Sequence, residues 1–381
     1  MLYNNWLIYD GRQALFGPVP LTPTSQAPTS VKGQEKDAQA GSTQNQPTAP
    51  SQPKRVDLPK QEGLPKPQQA QALGIANLTG GDKHLIKNDV LELEINTNGA
   101  SVIGAKLLKQ LNADQKPVAL LQINNQNQYF VRSGLISAGS SDLPNHTAIF
   151  VMSKNGRAGN KSFISFTSDR GGVRLEKTYN LNDGSYVVEV EHRITQLSNQ
   201  INPNPLVLYS EIVRDGSAVS DSEFYSTFTG PALYTDKDKF IKINFSDIDK
   251  NKVEIPRQIP AGQPGWIAMV QHYFASAWIL SGNQKREFYT KQVADNIYSS
   301  GVLTQLPAIQ SGEKKEFATK LYSGPQIKEQ LEKAAPGLTY TVDYGWLTFI
   351  ASPLFMVLNW IHKLVNNWGG AIIILTVLIK V

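Results

Sequence analysis

The feature that most constrains this chain is a two-residue alternation of apolar and polar side chains, broken by glycine turns, from about residue 83 to residue 323. Successive side chains of a strand point to opposite faces, so such alternation encodes half-buried sheet. Val90-Leu91-Glu92-Leu93-Glu94-Ile95 alternates and then meets Asn96-Thr97-Asn98-Gly99. Residues 162–167 and 173–179 flank Asp169-Arg170-Gly171-Gly172, and Asn182-Asp183-Gly184 leads into 186–194. Asp-Gly and Gly-Gly supply the positive φ that tight hairpins need. Further strands are expected at 206–213, 239–245, 266–270, 288–292, 297–303 and 316–322. So many strands exceed one small sandwich and predict a large, mostly antiparallel double-sheet fold over 83–338.

Residues 17–82 read differently. The stretch holds ten of the 22 prolines, and Gln, Ser, Thr, Ala and Gly fill most of the rest. It cannot bury enough apolar surface to offset its ordering entropy, so a disordered, extended tether is expected. Ahead of it, residues 1–16 offer only Trp6-Leu7-Ile8-Tyr9 and Leu15-Phe16, too short to span a bilayer.

After the β region the period changes. Pro325 is expected in the first turn of a short helix, with Ile327, Leu331 and Ala334 at helical spacing and Glu329 four residues before Lys333. Pro336-Gly337 ends it. Over 343–367, Thr348, Ser352, Asn359, His362, Lys363 and Asn366 fall in one narrow stripe at 100° per residue, and the rest is apolar. Pro353 is expected to bend or split this helix. Its tryptophans and thin polar stripe suit a helix in a membrane interface, and a buried helix of a large domain fits the pattern equally. From Gly369 to Val381 an apolar run closes on Lys380-Val381. At 1.5 Å per residue it reaches roughly 18 Å, about half a transmembrane helix; a buried strand is the alternative.

Several chemistries are excluded or unsupported. There is no cysteine, so disulfides, thiolate metal sites and Cys nucleophiles are absent. The net charge of +5 is spread out, with no basic and aromatic groove for nucleic acid. His84, His146, His192, His272 and His362 stand far apart, with no metal-ligand spacing. No GxSxG, GxGxxG or Walker loop stands at a strand-to-helix junction. Neither a metal nor a cofactor is expected. Beside Tyr273 and Phe274, His272 is expected in a packed aromatic cluster, and His192 and Glu191 on opposite strand faces.

Certain residues carry a family resemblance. Thr341-Val342-Asp343-Tyr344-Gly345-Trp346-Leu347, Pro353-Leu354-Phe355, Trp360-Ile361-His362, Asn367-Trp368-Gly369 and Ile372-Ile373-Ile374-Leu375-Thr376 resemble the junction between periplasmic domain and second transmembrane helix in the Gram-negative YidC family of membrane protein insertases. Gly265-Trp266-Ile267-Ala268-Met269, Gln271-His272-Tyr273-Phe274-Ala275, Ala277-Trp278-Ile279 and Tyr322-Ser323-Gly324-Pro325-Gln326 resemble the same family, as does 91–101 more weakly.

The resemblance implies a galactose-mutarotase-like β-supersandwich with a short packed helix, an amphipathic helix on the membrane surface over 343–367, and the start of a transmembrane helix over 369–381. Residues 1–16 would be the outer end of a first transmembrane helix. It implies a non-enzymatic insertase and chaperone of the bacterial inner membrane, with the bulk of this chain in the periplasm. Implied partners are nascent inner-membrane proteins, the lipid bilayer, the Sec translocon and SecDF. Trp346, Phe349, Phe355, Trp360 and Trp368 would meet the interface, and Lys380 would line a substrate groove. A periplasmic sugar-binding or aldose-epimerase-like protein on the same sandwich is the rival expectation, favoured by a cleft with converging carboxylates and histidines.

Overall fold

The computed structural model describes residue 78 and residues 80–124, 127–138, 140, 142–199, 204–216, 228–256, 258–280, 282–342 and 348–380, apart from the side chains of 348–352. The segment 1–16, nearly all of the 17–82 tether, Trp346, Val381 and the side chain of Phe349 lie outside the described residues.

The strands run in chain order β1 (Lys83–Lys87), β2 (Leu91–Asn96), β3 (Ser101–Leu111), β4 (Pro117–Ile123), β5 (Gln128–Ile136), β6 (Val151–Ala158), β7 (Lys161–Arg170), β8 (Val173–Asn182) and β9 (Val187–Gln196). They continue as β10 (Val207–Asp215), β11 (Gly230–Thr235), β12 (Lys239–Lys242), β13 (Gln258–Ile259), β14 (Gly265–Gln271), β15 (Phe274–Ile279), β16 (Arg286–Ala294), β17 (Ile297–Gln305) and β18 (Lys314–Pro325). They form two nine-stranded sheets, ordered β1-β2-β3-β4-β5-β10-β17-β16-β13 and β12-β11-β14-β15-β18-β9-β8-β7-β6. The pairings are antiparallel, as the hairpin signals predict. The expected mainly β, double-sheet sandwich is the observed fold.

The core lies between the sheets. In β9, Val188, Val190, His192 and Ile194 are fully buried while Val187, Glu189, Glu191 and Arg193 are half-exposed. Trp266, Trp278, Phe166 and Tyr322 fill the same layer, each large side chain worth about 1.5–3 kcal/mol in burial. Two polar bridges cross it. Lys177 on β8 donates from Nζ to the carbonyls of Gly99 (2.5 Å) and Ser133 (2.6 Å), and Tyr179 Oη donates to Ala100 O at 2.6 Å. The turn at Gly171 (φ 55°) is so tight that a Cβ there would lie 1.7 Å from Asp142 O.

Three expectations need correction. Residues 239–245 are not one strand: β12 stops at Lys242, and α1 (Phe245–Asp249) follows. Asn244, in extended backbone (φ −82°, ψ 145°), is the N-cap; it makes no side-chain cap bond, and its Nδ2 instead donates to Asp247 Oδ2 at 3.0 Å across the first turn. Pro325 is not helical but the last residue of β18, opposite Phe274, and α2 (Lys328–Ala334) begins three residues later. A proline at a strand end removes no essential ladder bond. His272 does join an aromatic cluster, edge-on to Tyr273 at 4.0 Å with Phe274 6.5 Å beyond that ring, but His272 and Tyr273 stand exposed at the β14–β15 hairpin tip rather than packed away.

Helix α2 buries Leu331 and Ala334. The 3-10 turn Leu338–Thr341 that follows is held by the indole N–H of Trp266, which donates to Pro336 O at 3.0 Å.

Candidate membrane-facing site

Two helices end the described chain. Helix α3 (Thr348–Val365) contains Pro353 in its second turn and continues past it without splitting. Helix α4 (Trp368–Lys380) follows after two residues. Asn366 takes φ 54° and donates its N–H to His362 O at 2.7 Å, closing α3. Asn367 Oδ1 then accepts the N–H of Gly370 at 3.1 Å, capping α4. The rings of His362 and Trp368 stack at 3.8 Å and 15° across this turn. Ile361 and Ala371 are buried, so the helices pack on each other through small and aliphatic groups.

What this pair leaves outward is mostly apolar. On α3, Met356 (67% exposed), Trp360 (62%) and Leu364 (67%) stand four residues apart and form one row. On α4, Ile372, Ile373, Val377, Leu378 and Ile379 are all exposed, and Lys380 is the sole charged residue of that helix. Thr376 is no exception to the apolar surface, because its hydroxyl donates back to Ile372 O at 2.7 Å. A contiguous apolar surface on this scale marks an interaction site.

Of the residues expected at the interface, Phe355, Trp360 and Trp368 are exposed. Phe355, however, is spaced with Asn359 and His362 on the polar stripe, at i+4 and i+7. Met356 and Leu364 complete the row of Trp360; neither is among the residues expected at the interface, although Leu364 falls on the apolar face of the sequence pattern and the spacing of four is visible there. Lys380 is exposed at the last turn of α4. Among the described residues no helix is long and apolar enough to cross a membrane.

Carboxylate and histidine do converge in the body, on the face of β10 turned away from the main core. Glu211 Oε1 accepts from Arg132 Nε at 2.6 Å, and its Oε2 accepts from Tyr289 Oη (2.7 Å) and Ser299 Oγ (2.5 Å). His146 Nδ1 meets Tyr209 Oη at 2.6 Å. Burial alone would raise the Glu211 carboxyl, but Arg132, His146 and Lys291 and the Ser299 hydroxyl hold it down at about 2. Both of its oxygens are occupied and the cluster is buried, so Glu211 is a weak base, although Arg132 keeps Nη1 and Nη2 buried without hydrogen-bond partners. His192 lies instead in the main core, its Nε2 2.9 Å from Ser133 Oγ, while Glu191 points outward to Asn180. The described residues hold no cluster of His, Asp and Glu able to bind a metal.

A family model of the YidC periplasmic domain matches residues 84–357. Membrane protein insertase YidC of Polynucleobacter necessarius subsp. necessarius is 46% identical over all of this chain, which spans 66% of that relative's length. The corresponding protein of Ralstonia nicotianae is 40% identical, again over the whole chain and 65% of its own length. The chain thus spans just under two thirds of these relatives. Among solved structures, a galactose mutarotase-like protein from Lactobacillus casei is similar at 12% identity and a TM-score of 0.44, covering 64% of this chain and 100% of that one. A galactose mutarotase related enzyme from Lactobacillus acidophilus is similar at 8% identity and a TM-score of 0.44, covering 64% and 97%. With the family model spanning most of the sheets and reaching into α3, the chain belongs to the YidC family and carries its periplasmic domain.

Proposed function

We propose that this chain is the periplasmic part of a membrane protein insertase of the bacterial inner membrane. It would assist nascent inner-membrane proteins to insert and fold, alone or beside the Sec translocon and SecDF. The observation that carries the reading is the row of exposed apolar side chains on α3 and the exposed aliphatic side chains of α4, at the end of a chain whose β body keeps a large buried core of its own. Lipid is the solvent that suits such a surface. In this reading 83–338 is the periplasmic domain and 17–82 its tether. The stretch 343–367 lies in the membrane interface, anchored by Trp346, Phe349, Trp360 and Trp368, with Phe355 nearer the headgroups. From 369 onward the chain enters the bilayer.

Eleven residues after Gly369, Lys380 lies roughly 16 Å along the helix, near the middle of a bilayer about 30 Å thick. An ammonium at that depth costs at least about 2.5–3.5 kcal/mol, so it would face water or a partner rather than lipid. A cation in a wet groove attracts acidic or polar parts of an incoming client.

The test is complementation by a protein of the relatives' full length that carries this chain, in cells depleted of their own insertase. Restored insertion supports the reading. Lys380→Arg should preserve it and Lys380→Glu should impair clients that translocate acidic segments. Absence of any rescue by the wild-type protein overturns the insertase assignment, and full rescue by Lys380→Glu overturns the groove role of Lys380.

A further inference from the structure

At one end of the sandwich, between the two sheets, lies a pocket of about 160 Å³. Arg214, near the end of β10, and its cross-strand neighbour Tyr129 of β5 form its floor, and Gln122, Asn127, Asp215 and Gln271 stand around it. Arg214 is 5% exposed and its guanidinium lies over the Tyr129 ring at 4.8 Å. Its Nη1 is buried and has no hydrogen-bond partner. A guanidinium N–H group left unmade in the interior costs more than an ordinary missing bond, because the group is charged. The aromatic face beneath it offers partial compensation only. The side chain thus presents an N–H edge, at Nη1, that nothing in the small polar chamber receives, with Tyr129 and the Asp215 carboxylate beside it.

From this arrangement we propose that the pocket is a binding site for a carboxylate, held by the Arg214 guanidinium and ringed by the side-chain amides of Gln122, Asn127 and Gln271. A planar carboxylate matches a guanidinium edge with two parallel hydrogen bonds. The volume, a few water molecules' worth, admits a small acid or the tip of a peptide, either an acidic side chain or a chain terminus. Asp215 selects among anions. Its Oδ2 accepts the N–H of Gln128 at 2.6 Å, which fixes the carboxylate beside Arg214 in the lining of the pocket. Beside Asp215 the pull of Arg214 on a second negative charge is offset, whereas the desolvation cost of a dianion such as phosphate rises steeply with its charge, so a monoanion is favoured. The site stands apart from the membrane-facing helices and does not depend on the insertase reading.

The experiment uses the whole 381-residue chain in detergent micelles, labelled with ¹⁵N in Arg, Asn and Gln side chains, at constant ionic strength. Acetate, and a short peptide with either a free or an amidated C-terminus, are titrated against chloride and phosphate. Saturable shifts of the Arg214 Nε and Gln271 amide signals with acetate or peptide are expected, with phosphate weaker. Tighter binding of the free-terminus peptide than of acetate identifies a peptide source; equal or weaker binding identifies a free small acid. Asp215→Asn should tighten acetate several-fold, which a purely structural Arg214 would not show. Arg214→Met should abolish the shifts, and Gln122→Leu should weaken them if the first variant does not fold. The proposal fails if no carboxylate gives a saturable shift, if phosphate binds more tightly than acetate, or if the shifts persist in folded Arg214→Met.

Discussion

Lys177 of β8 and His192 of β9 are direct cross-strand partners, both fully buried between the sheets, and no carboxylate joins them. Ser133 links the two across the core: its carbonyl accepts from the lysine and its hydroxyl meets the imidazole. Two potential cations at this spacing make the middle of the sandwich sensitive to pH.

Burial pushes the Lys177 ammonium down from 10.5 to about 7. Between those values the unfolded chain holds a proton that the folded chain has lost. Stability from this group is therefore complete above about 10.5 and falls away as pH drops to about 7. Each unit of depression corresponds to about 1.4 kcal/mol, so a rise of a few kcal/mol is expected across the window. Urea unfolding between neutral pH and pH 10 measures it. Lys177→Met should flatten this slope; an unchanged slope in that variant would assign the effect elsewhere.

His192 acts in a lower window. Burial first, and then the nearby Lys177 charge, depress its imidazole from 6.5 to about 3. Its stabilising contribution is present above about 6.5 and is lost as pH falls through 3. Glu211, depressed from 4.5 to about 2, begins to act only below 4.5. Any loss of stability between 6.5 and 4.5 thus isolates His192 from Glu211. His192→Gln keeps a partner for Ser133 without titrating, and should remove most of the slope in that interval of the denaturation midpoint.

Gly337 predicts a different kind of loss. It sits at φ 71° between α2 and the 3-10 turn, and a Cβ there would lie 2.6 Å from the Tyr234 ring. Tyr234 is itself stacked on Trp266 at 5.9 Å, so the ring cannot retreat without disturbing the indole that holds Pro336. Gly337→Ala should destabilise the body by at least about 1–3 kcal/mol. Thermal unfolding checks the size, and hydrogen exchange at Leu338–Thr341 checks the place. Wild-type stability in both would mean that the turn is not clamped as described.

The legible and illegible parts of this molecule differ for physical reasons. β9 was plain in the sequence because one face is wet and Asn182-Asp183-Gly184 announces its hairpin. β5 was not, because Phe130–Ile136 is buried on both faces and its polar residues face partners rather than water. The same blindness hid Arg132 and Glu211, since alternation records polarity and not pairing. It also hid Arg214, whose unbonded Nη1 exists only in three dimensions. The expected strand over 239–245 overran Lys242 into the start of α1. The C-terminal helices were visible as helices, yet the interface set chosen by residue type included Phe355 and passed over Met356 and Leu364.

That choice can be decided by measurement. If lipid meets the row of Met356, Trp360 and Leu364, then Trp360→Ala removes an aromatic side chain from the buried face, worth about 1.5–3 kcal/mol. Partitioning of the chain onto liposomes should weaken roughly tenfold or more, since about 1.4 kcal/mol is a factor of ten. Phe355 shares its stripe with Asn359 and His362, so Phe355→Ala should cost distinctly less. Lys363 is the only Lys or Arg on α3, so added salt should change both affinities little, and neutral and anionic vesicles should bind alike. Neither residue belongs to the core of the sandwich, so the unfolding midpoint of the β body should not move. A larger loss from Phe355→Ala than from Trp360→Ala would place lipid on the opposite face of α3. Binding that depends on anionic lipid would replace the apolar row with an electrostatic contact made elsewhere on the chain.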